Sequence, residues 1–332
     1  MKKDEELGER KIIEIIQSRL KLMPKTPVPF GDDVSACSIG RGSLAVLKTD
    51  MLVDKTDIPS GMSLRQAARK AVIMNVSDFA AKGVKPTAML ISLGLPRNLT
   101  RKDIEQIGDG LNEGAREHGA YIIGGDTGES SDLVISVSLF GLARKSALML
   151  RSGARPGDLV AVTGSFGKTA AGLRILLHGL KARASVRSKL VGSVLMPWAR
   201  LKEGLALGRT KAVTASIDSS DGLAWSLHEI ARSSSVGFLI DTVPEGKEVE
   251  EFAKMNELDP IELTFYGGEE YELVVTLKPR FFGKARKAVE RVGGELLPIG
   301  RATTGEAVLL RIGGKRRVIE PRGYEHFRSD KV

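Results

Sequence analysis

The chain has 332 residues, enough for two domains that each bury a core, and its 42% hydrophobic and 27% charged content is that of an ordinary soluble globular protein. Its one cysteine, Cys37, excludes a disulfide framework and a cysteine-based zinc site. No apolar run approaches the roughly 18 residues that a membrane span needs, and the Lys/Glu-rich start lacks an apolar core, so neither a membrane span nor a signal peptide is expected and the expected location is cytoplasmic.

Residues 4–22 hold Ile12, Ile13, Ile15, Ile16 and Leu20 at mostly helical spacing, which predicts a helix. Pro24, Pro27 and Pro29 then give an extended lead-in to Gly31-Asp32-Asp33. Residues 44–52 read as a strand that ends in Thr49-Asp50, and Ser63 caps a helix running through Gln66, Ala67 and Ala71 to about Lys82. A buried strand is expected over 89–95, an amphipathic helix over 100–118, and strands over 120–123 and 133–143. The breaker cluster at 151–158 predicts a boundary between an N-terminal domain, 1–150, and a C-terminal domain, 151–332. Beyond it, strands near 159–163, 213–217, 236–240, 272–277 and 307–311 alternate with helices over 166–178, 222–233 and 280–292. The fold class is therefore two-domain α+β or α/β, with helix and sheet mixed in both halves.

The acidic residues are more informative than their number. Asp32-Asp33, Asp50, Asp78, Asp126, Asp218 and Asp221 each stand beside Gly, Ser or Thr, or close an apolar strand-like run, where turns would aim them at one point. Converging carboxylates repel unless cations lie between them, and oxygen-only ligands suit Mg²⁺, which binds through a few carboxylates plus substrate phosphates. The chain reads as a Mg²⁺–nucleotide enzyme. Singly, each segment has a plain structural reading: Asp221-Gly222 a helix cap, Asp126-Thr127-Gly128 a turn.

Other chemistries find less support. Gly164-Ser165-Phe166-Gly167-Lys168-Thr169 suggests a phosphate loop, but Val162 stands where the Walker spacing demands Gly, so a plain strand-to-helix turn is expected. No G-x-G-x-x-G and no G-x-S-x-G is present, and His118, His178, His228 and His326 are too far apart for a zinc spacing. The net charge of +9 admits nucleic acid as a partner, yet aromatic residues at 5% offer few stacking platforms and the acidic segments would repel a polyanion. The run Lys315-Arg316-Arg317 after Gly313-Gly314 reads as a hairpin edge guarded against aggregation. Neither nucleic acid nor membrane is an expected partner.

Taken in order, GDD at 31–33, KTDMLV at 48–53, NVSDFAAKG at 75–83, GGDT at 124–127, RSGARPGD at 151–158, VTGSFG at 162–167, DSSDGL at 218–223, GGEEYEL at 267–273 and GYEHF at 323–327 resemble thiamine-monophosphate kinase, in the superfamily of aminoimidazole ribonucleotide synthetase and selenophosphate synthetase. The resemblance implies transfer of the γ-phosphoryl of ATP to thiamine monophosphate, giving thiamine diphosphate and ADP. It implies a homodimer whose N-terminal strands form a shared barrel, with ATP bound along that interface, and a C-terminal α/β sandwich-like domain. By motif, Asp33, Asp50, Asp78, Asp126, Asp218 and Asp221 are the implied ligands of several Mg²⁺ ions, joined by Thr49. Gly125 lets the backbone approach the nucleotide, Ser220 touches it, and Arg151 pairs with ATP phosphates; Asp126, Arg151 and Asp218 carry the transfer. Glu269 and Tyr324 hold the thiamine moiety, and Asp57 lies among the substrate contacts. Such a reaction needs positioning and charge neutralisation, and a phosphate acceptor is already deprotonated near pH 7, so no catalytic His is required.

This chain departs from the family pattern at several of these positions. Asp54-Lys55-Thr56-Asp57 replaces a His-containing stretch near the substrate, Lys48 stands where a small hydroxyl residue is usual, Ser219 replaces an apolar residue and Glu270 replaces Asp. Lys48 brings its own charge to a place expected to hold metal. An ATP-dependent ligase or cyclase like aminoimidazole ribonucleotide synthetase is the alternative; it would share the ATP site and release inorganic phosphate. Selenophosphate synthetase is disfavoured because no Cys lies in an N-terminal Gly-rich loop, and the hydrogenase-maturation relatives because residues 329–332 contain no Cys.

Overall fold

Two mixed sheets organise the chain, and the computed structural model describes residues 8–327. The first sheet contains β1 (Ser35–Ser38), β2 (Ser43–Val53), β3 (Pro86–Leu95), β4 (Tyr121–Glu129) and β5 (Val134–Arg144), in spatial order β1-β2-β5-β3-β4. Only β3 and β4 run parallel. Helix α1 (Glu9–Arg19) precedes this sheet, with its Arg10 2.6 Å from Glu229 of the second half, and α2 (Asp54–Asp57), α3 (Leu64–Lys82) and α4 (Arg101–Glu117) accompany the sheet. The second sheet contains β6 (Leu159–Val162), β7 (Val213–Asp218), β8 (Gly237–Ile240), β9 (Leu273–Leu277), β10 (Leu297–Thr303), β11 (Val308–Ile312) and β12 (Lys315–Val318), in order β12-β11-β8-β10-β6-β9-β7. Here β8 and β11 form the parallel pair. The helices of this half are α5 (Lys168–His178), α6 (Ala184–Leu195), α7 (Leu201–Thr210), α8 (Leu223–Ser234), α9 (Lys247–Met255), α10 (Pro260–Tyr266) and α11 (Phe282–Glu290). Mostly antiparallel sheets with helices alongside make this a two-domain α+β fold. Among the described residues no helix is long and apolar enough to cross a membrane.

Helix α3 positions the site. Ser63 and Gln66 close a reciprocal capping box at its start, and Gly83 ends it in the left-handed region at φ 67°. The helix is Ala-rich and buried on nearly every side, because it packs against β2 and β5 of the first sheet and β7 and β9 of the second. Small residues let its neighbours approach. A Cβ on Gly110 of α4 would sit 2.0 Å from the Arg65 carbonyl oxygen, and one on Gly204 of α7 2.0 Å from that of Ala80. A helix wedged between two sheets has no solvent face on which to put polar side chains, so its Lys70, Asn75, Ser77, Asp78 and Lys82 are all buried.

Several expectations change in the structure. The strand over 89–95 is not buried on both sides: β3 alternates, with Leu90 half exposed, because among the described residues no helix lies on the outer face of the first sheet. Asp50, Asp78 and Asp126 do not sit in turns but in β2, α3 and β4. Strands β1 and β10 and helices α2, α6, α7, α9 and α10 fall where no element was expected, whereas β12 is the basic hairpin edge anticipated at 315–317. The expected start of the first helix, at residues 4–7, lies outside the described residues, as does the run 329–332.

The turn at 164–169 shows why it is not a phosphate loop. Gly167, at φ 91°, has no side chain to cap α5; Glu270 arrives from the segment before β9 and accepts from the Gly167 N–H at 2.8 Å and the Thr169 N–H at 3.0 Å. The donors a phosphate would use are taken by this carboxylate. Removal from water outweighs these bonds and pushes the Glu270 carboxyl up to about 8 from 4.5. A raised folded-state value favours the protonated form, so this group's contribution to stability is full below about 4.5 and is lost as pH rises through about 8. Glu270→Gln keeps an acceptor without the charge. Its melting temperature relative to wild type is expected to be a few degrees more favourable at pH 9 than at pH 5; a difference that does not change with pH would show that Glu270 is ionised throughout.

Candidate active site

Three carboxylates from distant parts of the chain meet between the two sheets. Asp33 lies in the loop before β1, Asp78 on α3 and Asp218 at the end of β7; each is buried and offers an oxygen within 4.8 Å of the others. Around them stand three cations. The Lys82 ammonium lies 2.6 Å from Asp32 and 2.7 Å from Asp33 and donates to the Ser216 carbonyl at 2.8 Å. Arg151 donates through Nε to Asp33 at 2.5 Å and through Nη1 to the Gly31 carbonyl at 2.7 Å, while its backbone N–H donates to Asp32 at 3.1 Å. Lys48 on β2 lies 3.1 Å from Asp50 and 3.0 Å from Asp78. Two neutral groups of α3 complete the frame: Ser77 donates to Asp218 at 2.6 Å, and the Asn75 side chain accepts from the Asp50 N–H at 2.9 Å.

The charges are unevenly satisfied. Burial would raise the Asp33 carboxyl, but Lys82 and Arg151 hold it below the usual carboxylate range. Burial raises Asp78 well above that range, against the pull of Lys48, and Asp218 and Asp50 add to the rise. Asp218 is pushed up to about 6 by burial and by Asp33. Lys48, which burial alone would depress, is raised by Asp78 and Asp50 and stays an ammonium. A buried set of oxygen donors with unmet negative charge and no His or Cys fits a hard divalent cation such as Mg²⁺.

Strand register separates the other expected ligands from this cluster. In β2, Lys48 and Asp50 share the inner face with buried Leu44, Val46 and Leu52, whereas Thr49 points outward. The Thr49 hydroxyl donates to the Val137 carbonyl at 3.2 Å and accepts from Ser138 at 3.1 Å. Asp126 pairs with Ser92, which pairs with Ser136, which pairs with outward-facing Met51. Asp126 is therefore on the same outward face, on the exposed edge strand β4, and not among the three converging carboxylates. Gly125 has a local reason to lack a side chain: its Cβ would lie 2.0 Å from the Ile91 carbonyl oxygen.

A second group forms beside the cluster. The backbone N–H groups of Glu269 and Tyr271 donate to the carbonyls of Ser220 (2.5 Å) and Ser219 (3.0 Å), and that of Tyr324 donates to Asp221 (3.1 Å). These bonds bring segments 218–222, 267–272 and 323–327 together. Glu269 and Tyr271 both hold left-handed backbones, at φ 63° and 52°, a strain that persists where surrounding contacts enforce it. The Glu269 carboxylate ion-pairs with Lys70 of α3, whose ammonium also donates to the Asp57 carbonyl at 2.9 Å. The Asp57 carboxylate itself turns back to accept from the Val53 N–H at 2.7 Å. The Tyr324 hydroxyl is pushed up to about 12 by burial and by Asp57 and Glu269. Asp221 is raised to about 6 by burial and by Glu9, against the pull of Arg10 and Arg151. The structure thus gathers Asp57, Glu269, Tyr324, Ser220 and Asp221 at one place and Asp33, Asp50, Asp78, Asp218 and Arg151 at another next to it, and leaves Thr49 and Asp126 on the outward face.

Lys70, Lys82 and Ser77 were not anticipated. The one signal for them in the sequence is that residues 67–82 offer no continuous polar face, so any charge there must be buried and partnered.

Comparison with known proteins agrees with this architecture. Residues 31–143 match the AIR synthase related protein N-terminal domain and residues 155–312 its C-terminal domain. The chain is 38% identical over 322 residues to the thiamine-monophosphate kinase of Nitrosopumilus maritimus, covering 97% of this chain and 99% of that one. It is also 38% identical over 302 residues to that of Pyrococcus horikoshii, covering 90% and 91%. The solved structure of AaThiL complexed with AMPPCP and TMP superposes with a TM-score of 0.85 at 29% identity, covering 98% of this chain and 99% of that one. With both halves of the fold matched and full-length relatives at this identity, the chain belongs to the thiamine-monophosphate kinase family.

Proposed function

We propose that this protein is an ATP-dependent kinase that transfers the γ-phosphoryl of ATP to the phosphate of thiamine monophosphate, forming thiamine diphosphate and ADP. The observation that carries the reading is the buried Asp33–Asp78–Asp218 cluster with Arg151 at its edge, lying next to the Glu269–Tyr324 group, in a chain whose relatives are named for this activity. AaThiL, its structural match, is complexed with the ATP analogue AMPPCP and with TMP. On this reading residues 1–150 contribute ATP binding and dimerisation and residues 151–332 complete the nucleotide and substrate site. A kinase drawing on ATP and thiamine monophosphate would work in the cytoplasm.

The residues divide the work by chemistry. Arg151, positioned by Asp33 and Gly31, would offer its guanidinium to phosphate oxygens. Mg²⁺, held by Asp33, Asp50, Asp78 and Asp218 with Asp221 beside them, would offset the repulsion between two anionic phosphates. Ser220 and the Gly125 backbone would contact the nucleotide. Glu269, anchored by Lys70, offers a carboxylate to the aminopyrimidine, while the Tyr324 ring supplies an aromatic face for the cationic thiazolium and Asp57 borders it. The acceptor phosphate is an anion near pH 7, so the chain needs to orient it and exclude water rather than remove a proton.

The outward face of the first sheet supports a homodimer. Leu47, Met51, Leu90 and Leu142 are exposed on that face, and β4 leaves an edge unpaired in the single chain. A second copy closing the sheet into a barrel would cover these residues and set Thr49 and Asp126 at the interface, where they would reach a nucleotide bound along it.

Asp218→Asn is expected to lower turnover of thiamine monophosphate by about 100-fold or more. It should leave the fold intact, because the amide oxygen still accepts from Ser77. Steady-state kinetics beside a thermal melt checks this, and near-wild-type turnover would remove Asp218 from the site. Leu90→Glu sets a charge in the middle of the outward face and is expected to give a folded monomer by light scattering; a dimer that survives it would locate the interface elsewhere.

A further inference from the structure

We infer that Lys48 is a resident cation that takes the place of a divalent ion in the metal-free cluster and gives up that place when an ion binds. The inference rests on the reading of this site as a metal–nucleotide site and adds to it which residue holds the carboxylates together beforehand.

Asp33, Asp50, Asp78 and Asp218 converge from four segments, and like charges this close in a buried setting repel strongly. Lys82, Arg151 and Lys48 offset them, but the three cations are fixed to different degrees. Lys82 has a fully buried side chain with three partners, Asp32, Asp33 and the Ser216 carbonyl. Arg151 is held by Asp33, the Gly31 carbonyl and Glu229. The side chain of Lys48 is 19% exposed, and its ion-pair partners among the described residues are Asp50 and Asp78 alone. Its ammonium lies within about hydrogen-bond length of one oxygen on each of those carboxylates, where a small cation bridging the two would stand. No backbone carbonyl anchors it, unlike Lys82 and Lys70. A flexible stem can withdraw it without breaking any other bond. Lys48 thus keeps Asp50 and Asp78 aligned without metal and competes with metal for them. An ion that arrives with phosphates brings extra ligands and charge, which favours the exchange.

The test is Mn²⁺ binding to the full-length protein, followed by electron paramagnetic resonance, for wild type, Lys48→Gln and Lys48→Met. Without nucleotide, both variants are expected to bind Mn²⁺ roughly tenfold or more tightly than wild type, because the competing charge is gone. With the non-hydrolysable analogue AMPPCP present, the gap is expected to narrow. Variants that are folded by circular dichroism and bind Mn²⁺ no more tightly than wild type would overturn the inference. If neither variant folds, the acylation rate of Lys48 in wild type decides: it should rise with saturating Mn²⁺ alone, and no rise overturns the inference. Wild type that binds no Mn²⁺ even with AMPPCP would instead bring down the metal–nucleotide reading itself, so the two failures are told apart by the wild-type control.

Discussion

The ammonium of Lys82, wholly out of water, ties two remote pieces of chain to helix α3: Asp32 and Asp33 from the loop before the first sheet, and the Ser216 carbonyl from β7 of the second. It has two ion-pair partners and donates to one carbonyl, and a buried charge is tolerable when it is partnered in this way. Breaking one side of such a pair costs roughly 3–5 kcal/mol, because the other charge is left stranded. Asp33 then takes Arg151 on its other oxygen, and Arg151 fixes the start of the second half against Gly31. The candidate site sits where the two sheets are joined, and the bonds that join them also orient the site's acids.

Helix α3 makes this arrangement possible. Packing both sheets against one helix requires a narrow, Ala-rich rod with glycines facing it, and the structure has these at Gly110 and Gly204. The same burial forces every polar group on α3 into a specific bond. Lys70 reaches Glu269, Ser77 reaches Asp218, Asp78 takes Lys48, and Lys82 takes Asp33. One element thus links the acidic cluster to the Glu269–Tyr324 group, and a shift of α3 by a fraction of a turn would disturb both.

What was legible in the sequence followed the range of the forces involved. Local chemistry was readable: Ser63 and Thr100 cap the helices expected after them, and the breaker run at 151–158 separates residues of one sheet from those of the other. The clustering of Asp33, Asp78 and Asp218 was anticipated from their motifs, but not the cations that make it bearable. Lysine is usually solvated, so the burial of Lys70 and Lys82 follows only from the packing of α3 on nearly every side. Which face of a sheet a residue occupies depends on register, a long-range property. Thr49 and Asp50 are neighbours in sequence and opposite in space, and Asp126 lies on the outward face although its motif grouped it with the inner acids. Glu270 was noted only as a replacement for Asp, whereas the structure makes it the cap of α5.

The central event is passage of the phosphoryl group from ATP to the phosphate of thiamine monophosphate. Phosphorus NMR of the purified protein with ATP, Mg²⁺ and thiamine monophosphate, each omitted in turn, observes that transfer directly. Thiamine diphosphate and ADP should appear together, only in the complete mixture and without free phosphate. Free phosphate with no diphosphate would keep an ATP site but contradict the acceptor, and with it the role given to Glu269 and Tyr324.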